Sequence, residues 1–160
     1  MSPASPVYCI DTSSVLVWFV DTYPPTIFPG LLARMEELID AGRRLRSPKA
    51  VLDEIRPGDD CHKWCKDQTA LFLEEPVSVQ RIVRHLMATH HDPVRPTKGI
   101  NGADPFVIAM ASAGGAHWSV VADEHFGSLE NRKIPFVCNA ERVRCITFQQ
   151  MMLSEGWQFR

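Results

Sequence analysis

Four acidic residues stand where a fold could bring carboxylates together. Asp11 follows the β-prone run Val7-Tyr8-Cys9-Ile10, Glu54 lies beside the apolar stripe of Val51, Leu52 and Ile55, Asp104 precedes Pro105, and Asp123 ends the run 118–122. Converging carboxylates are the oxygen ligands that hard divalent cations such as Mg²⁺ and Mn²⁺ prefer. A cation so held polarises a phosphodiester, stabilises developing negative charge and lowers the pKa of an attacking water. Without it, bundled carboxylates raise one another's pKa. Each residue also has a plainer use. Asp11 before Thr12-Ser13-Ser14 could cap a helix, as could Asp104 before Pro105. Glu54 could be a solvated helix residue, and Asp123 could form a turn with Glu124 and His125. What sets the four apart is their order and their placement at two strand ends and on two helices.

Those placements follow from the hydrophobic pattern. Residues 7–10 predict a buried strand meeting a helix start at Asp11, and 15–20 continue as the first helical turns until Pro24-Pro25. A second amphipathic helix is expected over 28–41, with Leu31, Leu32, Met35, Leu38 and Ile39 on one face and Gly42 as its stop. Residues 44–47 predict a short strand, and Ser47-Pro48 a helix start with Pro at the first helical position. A turn at 57–60 leads to helical stretches over 61–73 and 77–91, then to an irregular connection over 92–101. Residues 103–113 predict a helix buried on several sides. The runs 118–122, 134–137 and 144–147 are β-prone, and the last leads into a terminal helix over 148–155. Strands alternating with helices predict an α/β fold with a mainly parallel sheet, whose sites lie beyond the carboxyl ends of its strands. Asp11 and Asp123 both fall there.

A chain of 160 residues, 45% apolar, fits one compact domain over 1–160, with the Ser/Pro-rich 1–6 expected as a flexible start. No apolar run approaches the roughly 18–20 residues that cross a bilayer. The start carries no Lys or Arg before an apolar stretch, which argues against a signal peptide. Five cysteines, an odd number, favour free thiols in a reducing cytoplasm over a disulfide framework. The formal net charge of −2 offers no general attraction to nucleic acid. Any such site must be a local patch, or must borrow positive charge from bound metal.

The segments Ile10-Asp11-Thr12-Ser13, Val51-Leu52-Asp53-Glu54-Ile55, Ala103-Asp104-Pro105-Phe106-Val107-Ile108-Ala109 and Val120-Val121-Ala122-Asp123 resemble the successive acidic motifs of PIN domains. Tyr23-Pro24-Pro25, Ile134-Pro135-Phe136-Val137-Cys138, Val143-Arg144-Cys145-Ile146-Thr147 and the Gly156-Trp157 ending resemble a PIN-like branch long known only as a domain of unknown function. The resemblance covers nearly the whole chain. It implies a three-layer α/β/α PIN-like fold with a central, mainly parallel sheet. It also implies a Mg²⁺- or Mn²⁺-dependent endoribonuclease acting on RNA, with an antitoxin protein as partner and a homodimer as assembly. Carried over by position, Asp11, Glu54 and Asp104 match the three best-defined acidic positions and Asp123 the variable fourth. Ser13 matches the hydroxyl residue that supports the first Asp. Many relatives have Thr-x-Asp at the fourth motif; here Val121-Ala122-Asp123-Glu124 lacks the hydroxyl, so Glu124 could replace or supplement Asp123.

Other residues could serve the same chemistry. Lys98 and Asn101 precede the third motif and could line the cleft. Arg43, Arg44, Arg46, Arg81, Arg84 and Arg95 are candidate phosphate contacts, Arg46 and Lys98 foremost, although a solvated face accounts for them equally well. Cys61, His62 and Cys65, with His85, His90 and His91, lack the second Cys pair of a zinc finger and read as half-buried thiols and surface imidazoles. Trp18, Phe19 and Trp118 read as core, with Trp64 open. The expectation is a cytoplasmic, metal-dependent endoribonuclease. Its competitors are a non-catalytic PIN-like module that binds a protein or nucleic acid, and a nuclease directed at DNA.

Overall fold

A computed structural model describes residues 3–159 of the protein. Met1 and Ser2, part of the expected flexible start, lie outside the described residues. Residues 3–6 run exposed and without regular structure into β1 (Val7–Ile10). This strand occupies the middle of a five-stranded parallel sheet, with β2 (Leu45–Pro48) and β3 (Phe72–Leu73) on one side and β4 (Trp118–Val121) and β7 (Cys145–Ile146) on the other. Cys9, Ile10, Leu45, Val120 and Val121 are fully buried, as a strand covered on both faces requires. The sheet carries helices around it, and the α/β/α arrangement expected from alternating elements is the one observed.

The chain runs outward from β1 to β2 and β3, then crosses back past β1 to β4 and β7. The order therefore reverses between β1 and β4, and such a switch point opens a crevice beyond the strand ends. Register fixes what faces that crevice. Ile10 pairs with Val121, and the Asp11 backbone N–H donates to the Val121 carbonyl at 2.9 Å. Asp11 and the segment from Ala122 thus leave the sheet side by side.

Behind the crevice lies α6 (Asp104–Gly114), with Val107, Ile108, Ala109 and Ala111 buried. Its small residues allow close packing: a Cβ on Gly114 would come within 2.3 Å of the Trp118 side chain. On its outer side α6 packs against α5 (Val77–His90). After α1 (Thr12–Leu16) the helix widens into a π-helical stretch, Val17–Thr22, which turns Trp18 inward. Trp18 meets Phe19, Trp64 and Phe148 at centroid distances of 5.5, 4.9 and 6.3 Å, so all three belong to an aromatic core. Met35 and Ile39 of α2 (Pro29–Asp40) are buried as their spacing predicted.

Three expectations are corrected. The helix expected over 61–73 ends early, as α4 (Asp60–Asp67), and Phe72–Leu73 form β3. The Ser47 N–H donates to the Leu71 carbonyl at 2.9 Å, so pairing with β2 overrides local propensity there. The β-prone run 134–137 is helical, part of α7 (Ile134–Ala140). Pro135 fits the first turn, where no N–H is needed, and Ile134, Val137 and Cys138 bury one helical face. Pro48 ends β2 and caps α3 (Lys49–Glu54), so it precedes the helix and is not its first residue. The small hairpin of β5 (Gly127–Ser128) and β6 (Asn131–Arg132) has no apolar pattern to announce it. No helix among the described residues is long and apolar enough to cross a membrane.

Candidate metal centre

The crevice is lined from three directions. Asp11 leaves β1 in extended conformation and caps α1. Its Oδ2 accepts the Ser13 N–H at 3.1 Å and the Ser13 hydroxyl at 2.7 Å. Its Oδ1 is buried without a hydrogen-bond partner among the described residues, although Asp11 is only 2% exposed. Burial raises its pKa to about 6 against the hydrogen bonds from Ser13, and the nearby charge of Glu124 adds to the rise. A buried carboxylate oxygen left bare costs free energy unless something supplies positive charge.

Asp104 is the first residue of α6, with Ala103 in the cap position, so its side chain is free of the capping role. An Asn-Gly turn delivers it. Gly102 has φ +54°, and the Asp104 Oδ2 accepts the Asn101 N–H at 3.2 Å. Burial and then the charge of Asp11 lift the Asp104 pKa to about 8 against the hydrogen bond from Asn101, with smaller contributions from Glu124 and Glu54. Glu124 comes from the segment after β4 and accepts the Ile134 N–H on Oε2 at 3.2 Å, which ties it to the start of α7. One ligand oxygen each from Asp11, Asp104 and Glu124 lies within 4.8 Å of the others.

The other two acidic residues of the motifs are held differently. Glu54 closes α3 and reaches two neighbouring helix starts: Oε1 accepts the Ala103 N–H at 2.7 Å and Oε2 accepts the Thr12 hydroxyl at 2.7 Å. Gly102 makes room for it, since a Cβ there would sit 2.4 Å from Glu54 Oε1. Asp123 Oδ2 accepts the Ser14 hydroxyl at 2.5 Å and the Phe148 N–H at 3.2 Å, which pins β4 to α1 and to α8 (Phe148–Glu155). The Asp123 N–H in turn donates to Ser13 Oγ at 3.0 Å. Ser13 therefore links the two aspartates. Among the described residues, the one close group of three possible ligands is Asp11, Asp104 and Glu124, with Glu54 and Asp123 bracing the elements that carry it. Glu124, which the sequence offered as a supporting residue or as a substitute for Asp123, belongs to that group. Its side chain reaches the crevice because α7 presents an N–H to it, a contact that adjacent positions in a sequence cannot reveal.

The basic candidates separate as clearly. Arg46 is directed away from the strand ends: its Nη1 donates to the Ala70 carbonyl, ahead of β3, at 2.6 Å. Arg44 is clamped on Glu155 at 2.9 and 2.5 Å, and Arg95 on Asp92 at 2.9 Å. Lys98 is exposed, three residues before Asn101, whose side chain donates to the Pro96 carbonyl at 3.1 Å. The imagined zinc ligands do not gather. Cys61 and Cys65 are buried on α4, His91 Nδ1 donates to the Ile100 carbonyl at 2.8 Å, and His85 and His90 both meet Glu141.

The family model described as Domain of unknown function (DUF4411) matches residues 8–159, which takes in every element that lines the crevice apart from the first residue of β1. No curated protein matches the chain.

Proposed function

We propose that this chain, which belongs to the DUF4411 family, is a metal-dependent endoribonuclease of PIN-like type in which Asp11, Asp104 and Glu124 hold Mg²⁺ or Mn²⁺. The observation that carries this reading is the bare, buried Oδ1 of Asp11 inside a group of three carboxylates. The donor set fits such an ion. It is all oxygen, which suits a hard cation and disfavours thiolate- and imidazole-seeking metals.

When bound, the ion supplies Lewis acidity toward a phosphodiester and lowers the pKa of a water. The chain's own residues do the rest. Ser13 orients Asp11, the Asn101 N–H orients Asp104, and the Ile134 N–H orients Glu124. Asp104, protonated at neutral pH without a cation, must give up its proton for the site to fill. Glu54 and Asp123 keep the three carriers in register, and Lys98, exposed three residues before Asn101, is the cation proposed to meet a phosphate. RNA as substrate, an antitoxin partner and a homodimer are proposed with it, on the resemblance to PIN domains.

The test is cleavage of RNA with and without Mn²⁺ by wild type beside Asp104→Asn. Wild type should cut only with metal. Equal cutting by the variant would sink the role of Asp104. A wild type that neither cuts nor gains thermal stability from Mn²⁺ would instead be a binding module, since any ligand of the folded state alone must raise the melting temperature. Faster cutting of DNA than of RNA would redirect the substrate.

A further inference from the structure

At the amino end of the sheet, opposite the acidic group, a cavity of about 330 Å³ lies among β1, β4, β7 and α8. That size falls within the roughly 300–1,000 Å³ of small-ligand sites. Register places its lining. Tyr8 pairs with Ser119, and Val120 with Cys145, so Tyr8, Ser119 and Arg144 stand in one row across three strands. Residues in one row share a face of the sheet, and Ile146, two residues on from Arg144, lies on that face too. All four line the cavity, which Ala116 and His117 close at the turn before β4. Pro3, Ala4 and Pro6 form its outer wall, held by a bond from Arg44 Nε to the Pro6 carbonyl at 2.7 Å.

The polar groups of this lining divide into paired and unpaired. The Tyr8 hydroxyl donates to Glu155 Oε2 at 2.5 Å and meets Ser154 Oγ at 3.2 Å. Arg44 grips the same Glu155 carboxylate through both Nη atoms, so that charge is neutralised within the fold. Ser119 has no such partner. It is only 5% exposed, and its hydroxyl bonds to no other group among the described residues. A buried hydroxyl left so is costly unless something in the cavity meets it. Arg144 is exposed and forms no ion pair among the described residues. Its carbonyl accepts the Val120 N–H at 2.8 Å, so the side chain leaves from a paired position beside Ser119.

We propose that this cavity is a second binding site, for a small monocarboxylate with an apolar body. The Arg144 guanidinium forks the carboxylate and the Ser119 hydroxyl donates to it, while Ile146, Ala116 and the prolines of the outer wall enclose the apolar part. Charge selects the ligand class. One guanidinium matches one negative charge, and its planar fork matches a planar carboxylate. A phosphate dianion would bring a second charge, and the next guanidinium, that of Arg44, is already committed to Glu155. The site stands apart from the acidic group and does not depend on the nuclease reading.

The experiment is titration calorimetry of the metal-free protein at neutral pH with acetate, hexanoate and hydrocinnamate, beside hydrocinnamyl alcohol and phenethyl phosphate. Hexanoate and hydrocinnamate should bind saturably, one molecule per chain, and more tightly than acetate. The alcohol should bind about 10-fold or more weakly than the acid, and Arg144→Gln should weaken the acid about 10- to 100-fold. Ser119→Ala should cost about 3- to 10-fold. Arg144 is exposed, so its variant carries the test even if Ser119→Ala fails to fold. Backbone amide shifts on adding hydrocinnamate should centre on Tyr8, Ser119 and Arg144. No saturable binding of any acid by wild type would overturn the site, as would equal binding of acid and alcohol, or of the acid by wild type and Arg144→Gln. Shifts centred on Asp11 and Asp104 would place the acid elsewhere and overturn it too. Tighter binding of phenethyl phosphate than of hydrocinnamate would overturn the carboxylate assignment.

Discussion

Asp104, at the start of α6, and Glu141, at the end of α7, are both carboxylates withdrawn from solvent, and their surroundings are opposite. Glu141 is half-buried, which by itself raises its pKa, but hydrogen bonds from His90 and His85 hold the carboxyl below its usual range. His90 donates from Nε2 to Glu141 Oε1 at 2.8 Å, and its bare Nδ1 accepts from Arg132 Nη1 at 2.9 Å. Every group there has a partner supplied by the fold. Asp104 faces Asp11 and Glu124 instead, and its pKa rises to about 8. The fold completes one group and leaves the other to be completed from outside, which separates a structural clasp from a ligand site.

The contrast is broken or sharpened most strongly by Asp104→Asn. Loss of a charge that an ion must meet should lower cleavage about 100-fold or more. The metal-free variant should melt close to wild type at neutral pH, because an amide of the same shape replaces a carboxyl that is already largely protonated there. A fall in melting temperature with cleavage retained would make Asp104 a clasp of the Glu141 kind.

Next comes pH. Asp11 and Asp104 have folded pKa values of about 6 and about 8, both above the ordinary aspartate value of 3.8. The folded state therefore binds more protons than the unfolded state between those limits. Metal-free stability is fully present below about pH 4 for these groups and is lost as pH rises through 6 and then 8. Mn²⁺ should stabilise more at pH 8 than at pH 5, because binding displaces the protons. Thermal melts with EDTA or Mn²⁺ across that range check both signs. Stability that rises with pH in EDTA would remove the electrostatic contrast.

On the other side, His90→Ala should destabilise the protein by about 1–2 kcal/mol, since Glu141 keeps only His85 and Arg132 keeps only the Leu129 and Thr89 carbonyls. The stabilisation by Mn²⁺ should be unchanged. Coupling between the two in a melt would mean that they are one network.

The fold was legible because β1, β4 and α6 carry strong patterns: buried runs ending at Asp11 and Asp123, and a small-residue helix beginning at Asp104. Two members of the close acidic group could therefore be named in advance. The third could not be separated from its neighbour, since Asp123 and Glu124 are adjacent and their partners, Phe148 N–H and Ile134 N–H, come from helices far along the chain. The same blindness made 134–137 look like a strand, as four apolar-rich residues fit either period. Arg46 had no local signal to show that its guanidinium points to Ala70. Phe126 lies in a stretch with no periodicity, so nothing local announces its contact with Phe136.

Asp123→Ala carries the smallest expected effect and the finest distinction. Its Oδ2 joins Ser14 to the first turn of α8, so its loss should cost about 1–2 kcal/mol, the value of a cap with one further bond. Cleavage should fall less than tenfold, through displacement of the segment that carries Glu124 and of Ser13, which the Asp123 N–H contacts. Glu124→Gln should do the reverse, with near-native melting in EDTA and a large loss of the Mn²⁺ shift. Measured side by side, the two variants separate carboxylates one residue apart. If Asp123→Ala abolishes the Mn²⁺ shift and Glu124→Gln does not, the ion is held by Asp11, Asp104 and Asp123, and the side chain of Asp123 must exchange Ser14 and Phe148 for metal.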